Sequence, residues 1–239
     1  MLASTSHQRS AVVRLAELPG RVHLGSAAAE PLRRLPSGLQ HLDALLDGGV
    51  PRGRISELIG PLSSGKTALL LALLTAVTRR GEITACVDLA DALHPESVAA
   101  AGVDLHRVLW VRPRSVIDGL RCTELLLHAG GFALTVLDLG TPVPRPLRRS
   151  VWPRLQHVAE RSHTALVILA PHRVAGSFAA MSLRLQPRRP LWHHGAWPLF
   201  AGFETALQIE RNKLGGAEAK SLQLKAKSQR TLSAFHCSL

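Results

Sequence analysis

The chain has 239 residues, and 29 Lys and Arg against 17 Asp and Glu give a formal net charge of +12, which points first to a polyanion such as nucleic acid, although Arg-rich composition also follows genomic GC bias. Its 46% hydrophobic content excludes disorder as the main state, and with 4% aromatics and no tyrosine the core must be built from Leu, Val and Ala. Three distant cysteines without CxxC spacing (Cys86, Cys122, Cys237) argue against a disulfide framework or zinc site and for a reducing compartment.

In chain order, residues 1–34 are polar, Ala-rich and dotted with Arg, with one short helix candidate over 10–18; they read as an arm or linker. The opening MLASTSHQRS lacks the apolar stretch of a secretory signal. From Leu35 the texture changes. LPSGLQHLDALLDGGVPRG offers Ser37 as a helix cap, then a short amphipathic helix stopped by Gly48, Gly49 and Pro51. Residues 54–59 form a predicted strand that runs directly into GPLSSGKT, and residues 68–78 are apolar on nearly every side, as in a helix buried against a sheet. The apolar run 68–77 is about half the length of a membrane span, so no membrane association is expected.

Strands are predicted at 83–89, 108–111, 133–139 and 165–170, and helices at 115–128 and 147–161, the latter despite Pro153. Continuous apolar runs separated by helices indicate an α/β domain with a mostly parallel sheet covered on both faces. Residues 172–200 are rich in Arg, Pro, Trp and His and show no clear period. Residues 205–211 and 221–227 alternate apolar and polar and predict a late antiparallel hairpin joined across Leu214, Gly215 and Gly216. The expected plan is an arm over 1–34, a core over 35–227 and a tail over 228–239.

Residues 60–67 match G-x-x-x-x-G-K-[ST] in full, after a predicted strand and opening a predicted helix, which is the context the motif requires. The glycines let the loop wrap a phosphate, and backbone N–H groups at the helix start point at it. Gly60, Ser63, Ser64, Gly65, Lys66 and Thr67 are therefore the expected nucleotide-binding set, for ATP or ADP with Mg²⁺. Lys66 supplies charge at the β/γ oxygens, and the Thr67 hydroxyl can hold the metal. A partner acid that holds Mg²⁺ through water belongs at the end of a neighbouring strand. Asp138 is the first candidate, with turn capping as its alternative, and Asp88 is the second. The twelve histidines show no metal pattern, and His193-His194 reads as loop polarity.

The run LPSGLQHLDALLDGGVPRGRISELIGPLSSGKTALLLALL resembles the opening of the RecA-type recombinase core, and the similarity continues to about residue 211. VDLADALHP falls where RecA has a strand followed by its catalytic glutamate, and AGVDLHRVLWVRP follows in matching order. In size and texture the chain is similar to the ImuA family, RecA-like accessory proteins of bacterial translesion-synthesis cassettes, and that resemblance leads us to expect a core without the RecA C-terminal domain. The resemblance implies a RecA-like P-loop fold, an SOS DNA-repair role in the cytoplasm at the nucleoid, and three partners: RecA, an ImuB-like polymerase homologue and a translesion polymerase complex.

It also implies two losses. The catalytic glutamate position holds Ala90, which can neither orient nor deprotonate water, and the adjacent Asp91 is shorter and displaced along the turn. Where RecA carries the Asn-Gln pair that senses the γ-phosphate, this chain has Ala170-Pro171. The implied activity is nucleotide binding with little or no hydrolysis. An active DNA-dependent ATPase or recombinase is the alternative. A SulA-like cell-division inhibitor is a third reading, and the intact GPLSSGKT argues against it.

In RecA the segments after the fourth and fifth core strands bind DNA. Here the first carries Arg145, Arg148 and Arg149, and the second, 172–200, carries Arg173, Arg184, Arg188, Arg189, Trp192 and Trp197. Arginines attract phosphates and tryptophans stack on unpaired bases, so single-stranded DNA is the expected ligand. The alternative is a solvated basic loop whose tryptophans fold into the core. The tail, with Leu232, Phe235 and Leu239 among basic neighbours, reads as a docking peptide or a frayed terminus.

Overall fold

A computed structural model describes residues 32–141, 143, 147, 149–193, 199–214, 221–227 and 235–236. The chain divides into two units, Met1–Leu32 and Arg33–Leu239, and every described residue but Leu32 falls in the second. The helix candidate over 10–18 lies outside the described residues.

The second unit opens with a small antiparallel pair, β1 (Arg34–Leu35) and β2 (Val50–Pro51), bracketing α1 (Gln40–Leu45). Ser37 is not the cap of α1, as the sequence suggests. The N-cap is Leu39, without a side-chain bond, and Ser37 instead accepts the Leu39 N–H (3.2 Å) and donates its hydroxyl to Asp43 (2.7 Å). Serine tightens the turn before the helix here, a role its short side chain competes for.

Then come β3 (Ile55–Ile59), α2 (Lys66–Arg79), β4 (Ile83–Asp88), α3 (Pro95–Ala100), β5 (Val108–Val111) and α4 (Val116–Ala129). They are followed by β6 (Phe132–Asp138), α5 (Val151–Ser162), β7 (Ala165–Ala170), β8 (Ala179–His193), β9 (Leu199–Asn212), β10 (Ser221–Lys227) and β11 (Phe235–His236). The larger sheet has nine strands in the order β11-β10-β9-β8-β3-β7-β6-β4-β5. From β8 to β5 the neighbours are parallel; from β8 to β11 they are antiparallel.

The residues explain the layers. Along β7, Ala165, Val167 and Leu169 join the core under α2, while Leu166, Ile168 and Ala170 join the core under α4 and α5. A strand buried on both faces therefore reads as the unbroken apolar run ALVILA. Ser115 caps α4 by accepting the Asp118 N–H at 3.1 Å. Pro153 falls in the first turn of α5, where its missing N–H has no intrahelical partner to lose.

Other features also depart from the sequence reading, among them the strands β1, β2 and β11. The short helix α3 is unforeseen. More consequentially, residues 172–200 are not one irregular loop, because 179–193 form β8. Met181, Leu183 and Leu185 alternate into the core, and the pattern is obscured by Pro187 and Pro190, which β8 accommodates beside a bulge between Pro187 and Arg189.

The link from β7 to β8 is residues 171–178, which pass over β3. A parallel crossover ordinarily takes a dozen or more residues and a helix. Here Glu57, in the middle of β3 and fully buried, pins the short link. Its carboxylate accepts the N–H groups of Val174 and Ala175 (2.8 Å each) and the Ser182 hydroxyl (2.6 Å), with Arg173 3.7 Å away.

Candidate nucleotide-binding site

The loop from Gly60 to Thr67 joins β3 to α2 and is fastened on both sides. On one, the Gly60 N–H donates to the Ala170 carbonyl at the end of β7 (3.2 Å). On the other, the Thr205 hydroxyl of β9 lies 2.7 Å from the Ser64 carbonyl and 2.9 Å from that of Gln186, either of which can accept its proton. Gly60 has φ +155°, and a Cβ there would collide with the Leu185 carbonyl of β8. Gly65, the N-cap of α2, has φ +93°, and a Cβ would lie 3.0 Å from the Phe203 ring and 3.3 Å from the Thr205 methyl. Both positions demand glycine, for conformation and for space.

The remaining loop residues present donors. Ser63 is exposed, with φ +56°. Ser64 is buried, and its Oγ has no hydrogen-bond partner among the described residues. A buried hydroxyl without a partner is costly, and a phosphate oxygen at this loop would supply one. Lys66 Nζ donates to the Gly60 and Pro61 carbonyls of its own loop, the latter at 2.8 Å. Burial lowers the Lys66 pKa, and Asp138 opposes that shift. Thr67 is exposed. The orphan hydroxyl, the glycine-lined cradle and the lysine fit a nucleotide phosphate.

Asp138 closes β6 and pairs in register with Asp88 at the end of β4. Its Oδ1 accepts the Gly140 N–H (2.9 Å), and Oδ2 has no hydrogen-bond partner among the described residues. It thus caps a turn and leaves one oxygen without a described partner. Burial pushes the Asp138 carboxyl up; the Gly140 N–H opposes this, Asp88 adds to it and Lys66 opposes it again. Asp88 is committed, with its two oxygens accepting the N–H groups of Ala92 (3.2 Å) and Leu93 (3.0 Å). Cys86, in the core under α2, has its thiol pushed up to about 12, mainly by burial, and is inert as a nucleophile. Among the described residues no group of three His, Cys, Asp or Glu forms a metal cage.

Ala90 lies beside Gly140, on an open cleft of ≈ 460 Å³ that also touches Arg114, Ser115 and Thr141. Asp91, with φ +48°, turns its carboxylate to Arg112 (3.4 Å). The two acids flanking Ala90 in sequence are therefore engaged elsewhere.

The nucleic-acid candidates scatter. Arg145, Arg148 and Trp197 lie outside the described residues, as do the His193 side chain and His194; Arg149 is exposed. Arg173 sits on the crossover and donates to the Gly176 carbonyl (3.0 Å). Arg184 pairs with Glu210. Arg189 binds Glu204 (2.7 Å), which Lys225 also approaches (3.4 Å). The side chain of Arg188 is exposed and makes no hydrogen bond or ion pair among the described residues, and Trp192 packs on Phe200. Of the tail, Phe235 and His236 pair with Ala226 and Lys225, while Leu232 and Leu239 lie outside the described residues. The contacts of Phe203 and Thr205 with the loop, and the role of Glu57, had no local signal. They depend on which strand lies next to β3.

Residues 19–145 match the family model of the RecA N-terminal domain. The chain is 37% identical over 125 residues to the RecA protein of Gloeothece citriformis, covering 52% of this chain and 35% of that protein. It is 35% identical over 153 residues to RecA of Clavibacter michiganensis, covering 61% and 42%, and 41% identical over 118 residues to RecA of Lactococcus lactis, covering 49% and 30%. Each match spans less than half of the relative's own length. Among the described residues no helix is long and apolar enough to cross a membrane.

Proposed function

The chain belongs to the RecA family, and from that premise we propose that it binds ATP or ADP with Mg²⁺ and hydrolyses it little or not at all. In this reading it acts as an accessory to DNA repair and translesion synthesis, engaging RecA or a polymerase complex that contains an ImuB-like homologue. Backbone N–H groups of the loop and Ser64 Oγ would receive the phosphates. Lys66 would leave its own loop carbonyls for the β/γ oxygens, and Thr67 and Asp138 would hold the metal. Mg²⁺ supplies charge neutralisation at the phosphates when bound.

One observation carries the reading: among the described residues, the carboxylates at and beside the RecA glutamate position are missing or engaged, and the remaining one by the loop, Asp138, is taken in this reading by the metal. Position 90 is alanine, Asp91 pairs with Arg112, and Asp88 holds two backbone N–H groups. General-base catalysis needs a group within hydrogen-bond reach of the attacking water. The test is phosphate release at saturating ATP and Mg²⁺, with and without single-stranded DNA. The expected result is turnover far below about 1 per second, the lower end of ordinary enzyme rates. Turnover at that rate which disappears in Lys66→Ala would instead establish an active DNA-dependent ATPase. Single-stranded DNA contact, through Arg149, Arg188 and the neighbouring basic residues, belongs to the same proposal. It predicts affinity that falls steeply with salt and depends little on sequence.

A further inference from the structure

The strands β8 and β9 continue past the phosphate loop. Ile59, the last residue of β3, pairs with Arg184, yet β8 runs on to His193 with β9 antiparallel beside it. The result is a β-arm that overhangs the loop. One face of it turns to the loop, because Phe203 and Thr205, two apart on β9, both meet Gly65. Register carries that face outward. Phe203 pairs with Pro190, Trp192 follows two residues along β8, and Trp192 pairs with Phe200. Pro190 and Trp192 alternate on β8, and the register shift between Leu191 and Trp192 leaves Ala201 as an extra residue on β9, which returns Phe200 to the face of Phe203; Trp192, Phe200 and Phe203 therefore share a face.

The Trp192 and Phe200 rings meet edge to face with centroids 5.7 Å apart, and both residues remain half exposed, at 49% and 51%. The chain has only nine aromatic residues, five Phe and four Trp. Holding two of them together in water next to a phosphate cradle forgoes the burial that makes aromatics useful in cores. Two residues along a strand is about 7 Å, so the pair stands one rung beyond Phe203, which itself meets the loop at Gly65.

We infer that Trp192 and Phe200, with Phe203 at their base, form the nucleobase platform of the loop-bound nucleotide. The inference rests on the phosphate-binding reading of residues 60–67 and adds what the loop alone cannot supply, a site for the base. Recognition is by stacking. Among the described residues this face offers aromatic rings and Pro190 but no amide or carboxylate to read a base edge. Purines, with the larger π-face, bind better than pyrimidines, and adenine is not separated from guanine. Arg188, exposed on the arm without a described partner, adds positive charge nearby.

The test is calorimetric titration of the full chain with ADP, GDP, CDP and inorganic tripolyphosphate, for wild type, Trp192→Ala, Trp192→Phe, Phe200→Ala and Lys66→Ala. The expected result is similar affinity for ADP and GDP and a weaker one for CDP. Trp192→Ala and Phe200→Ala each lose about tenfold for ADP, within the worth of one stacked base. Trp192→Phe retains most of the affinity, and tripolyphosphate binds all three variants as it binds wild type. Unchanged ADP affinity in both alanine variants overturns the platform. So does an equal loss for tripolyphosphate, which would mean that the aromatics act only through the fold. A loss confined to a single-stranded oligonucleotide, with ADP unaffected, overturns it too and assigns the aromatics to nucleic acid. Failure of the underlying reading looks different: Lys66→Ala would then leave tripolyphosphate binding intact.

Discussion

The parallel strands β3-β7-β6-β4-β5 and the antiparallel strands β8 to β11 share one sheet but are stabilised differently. Among the parallel strands the central ones are buried on both faces, and three of their polar side chains are committed to neighbours, Glu57 to the crossover, Asp88 to Ala92 and Leu93, and Thr84 to the Leu134 carbonyl, while the buried hydroxyls of Ser56 and Thr135 have no partner among the described residues. The antiparallel strands present a face to water, and charge pairs cover it, Arg184 with Glu210 and Arg189 with Glu204 and Lys225. Some of the chain's positive surplus is thus already neutralised on the segment where nucleic acid was expected to bind. The phosphate loop lies at the boundary, held by the Ala170 carbonyl from the parallel side and by Thr205 from the antiparallel side. The parallel half fixes where chemistry can happen, and the antiparallel half decides what else touches it.

The strongest way to break this division is to cut the joint between the halves. Glu57→Ala removes the acceptor of the Val174 and Ala175 N–H groups and of the Ser182 hydroxyl, in a site closed to water. Stranding these donors is expected to cost about 3–5 kcal/mol in urea denaturation. Glu57→Gln, which keeps one oxygen acceptor, should lose less. A loss below about 1 kcal/mol for the alanine variant would mean that the crossover holds itself.

Thr205→Val sharpens the comparison with a smaller effect. Valine keeps the shape against Gly65 but removes the one hydroxyl proton that the Ser64 and Gln186 carbonyls share. The expected loss is about 1 kcal/mol of stability, the worth of one ordinary hydrogen bond. Because the freed carbonyl belongs to the loop, ADP affinity should fall as well. Normal affinity with reduced stability would show that the antiparallel half supports the loop without shaping it.

The same division governs what the sequence could reveal. Double-sided burial writes itself as uninterrupted apolar runs, so β7 was legible to the residue and β3, β4 and β6 to within a residue or so. The loop was legible because Gly60, Gly65, Lys66 and Thr67 do local work at fixed spacing. The arm was not. In β8 the alternation of Met181, Leu183 and Leu185 is followed by prolines and arginines that look like loop chemistry, and only pairing with β9 makes a strand of them. The β9–β10 hairpin was legible from the alternation of 205–211 and 221–227, whereas the start of β9 at Leu199 was not. Glu57 in the middle of β3 carries no local mark of its role, since its partners lie 117 and more residues away. Likewise the commitment of Asp91 to Arg112 could be guessed only as a direction.

The smallest expected effect, Asp138→Asn, asks whether the parallel half accepts strain for function. Burial raises the Asp138 carboxyl, so the native state holds that proton more tightly than the unfolded chain does. The resulting penalty is absent below the ordinary carboxyl range, about pH 4, and grows as pH rises through the raised native value. Asparagine carries no charge to desolvate and can still accept the Gly140 N–H through its oxygen. The variant should therefore melt above wild type at pH 7, and the gap should close as pH falls toward the carboxyl range. Metal binding moves the other way. If Asp138 holds Mg²⁺ through water, the Mg²⁺-dependent component of ADP affinity weakens in the same variant that gains stability, the pattern expected where a site keeps a charge that the fold would rather lose. A variant that melts at or below wild type across pH 5–8 would show that the charge is not a burden. One that keeps full Mg²⁺ dependence would reduce Asp138 to the cap of its turn.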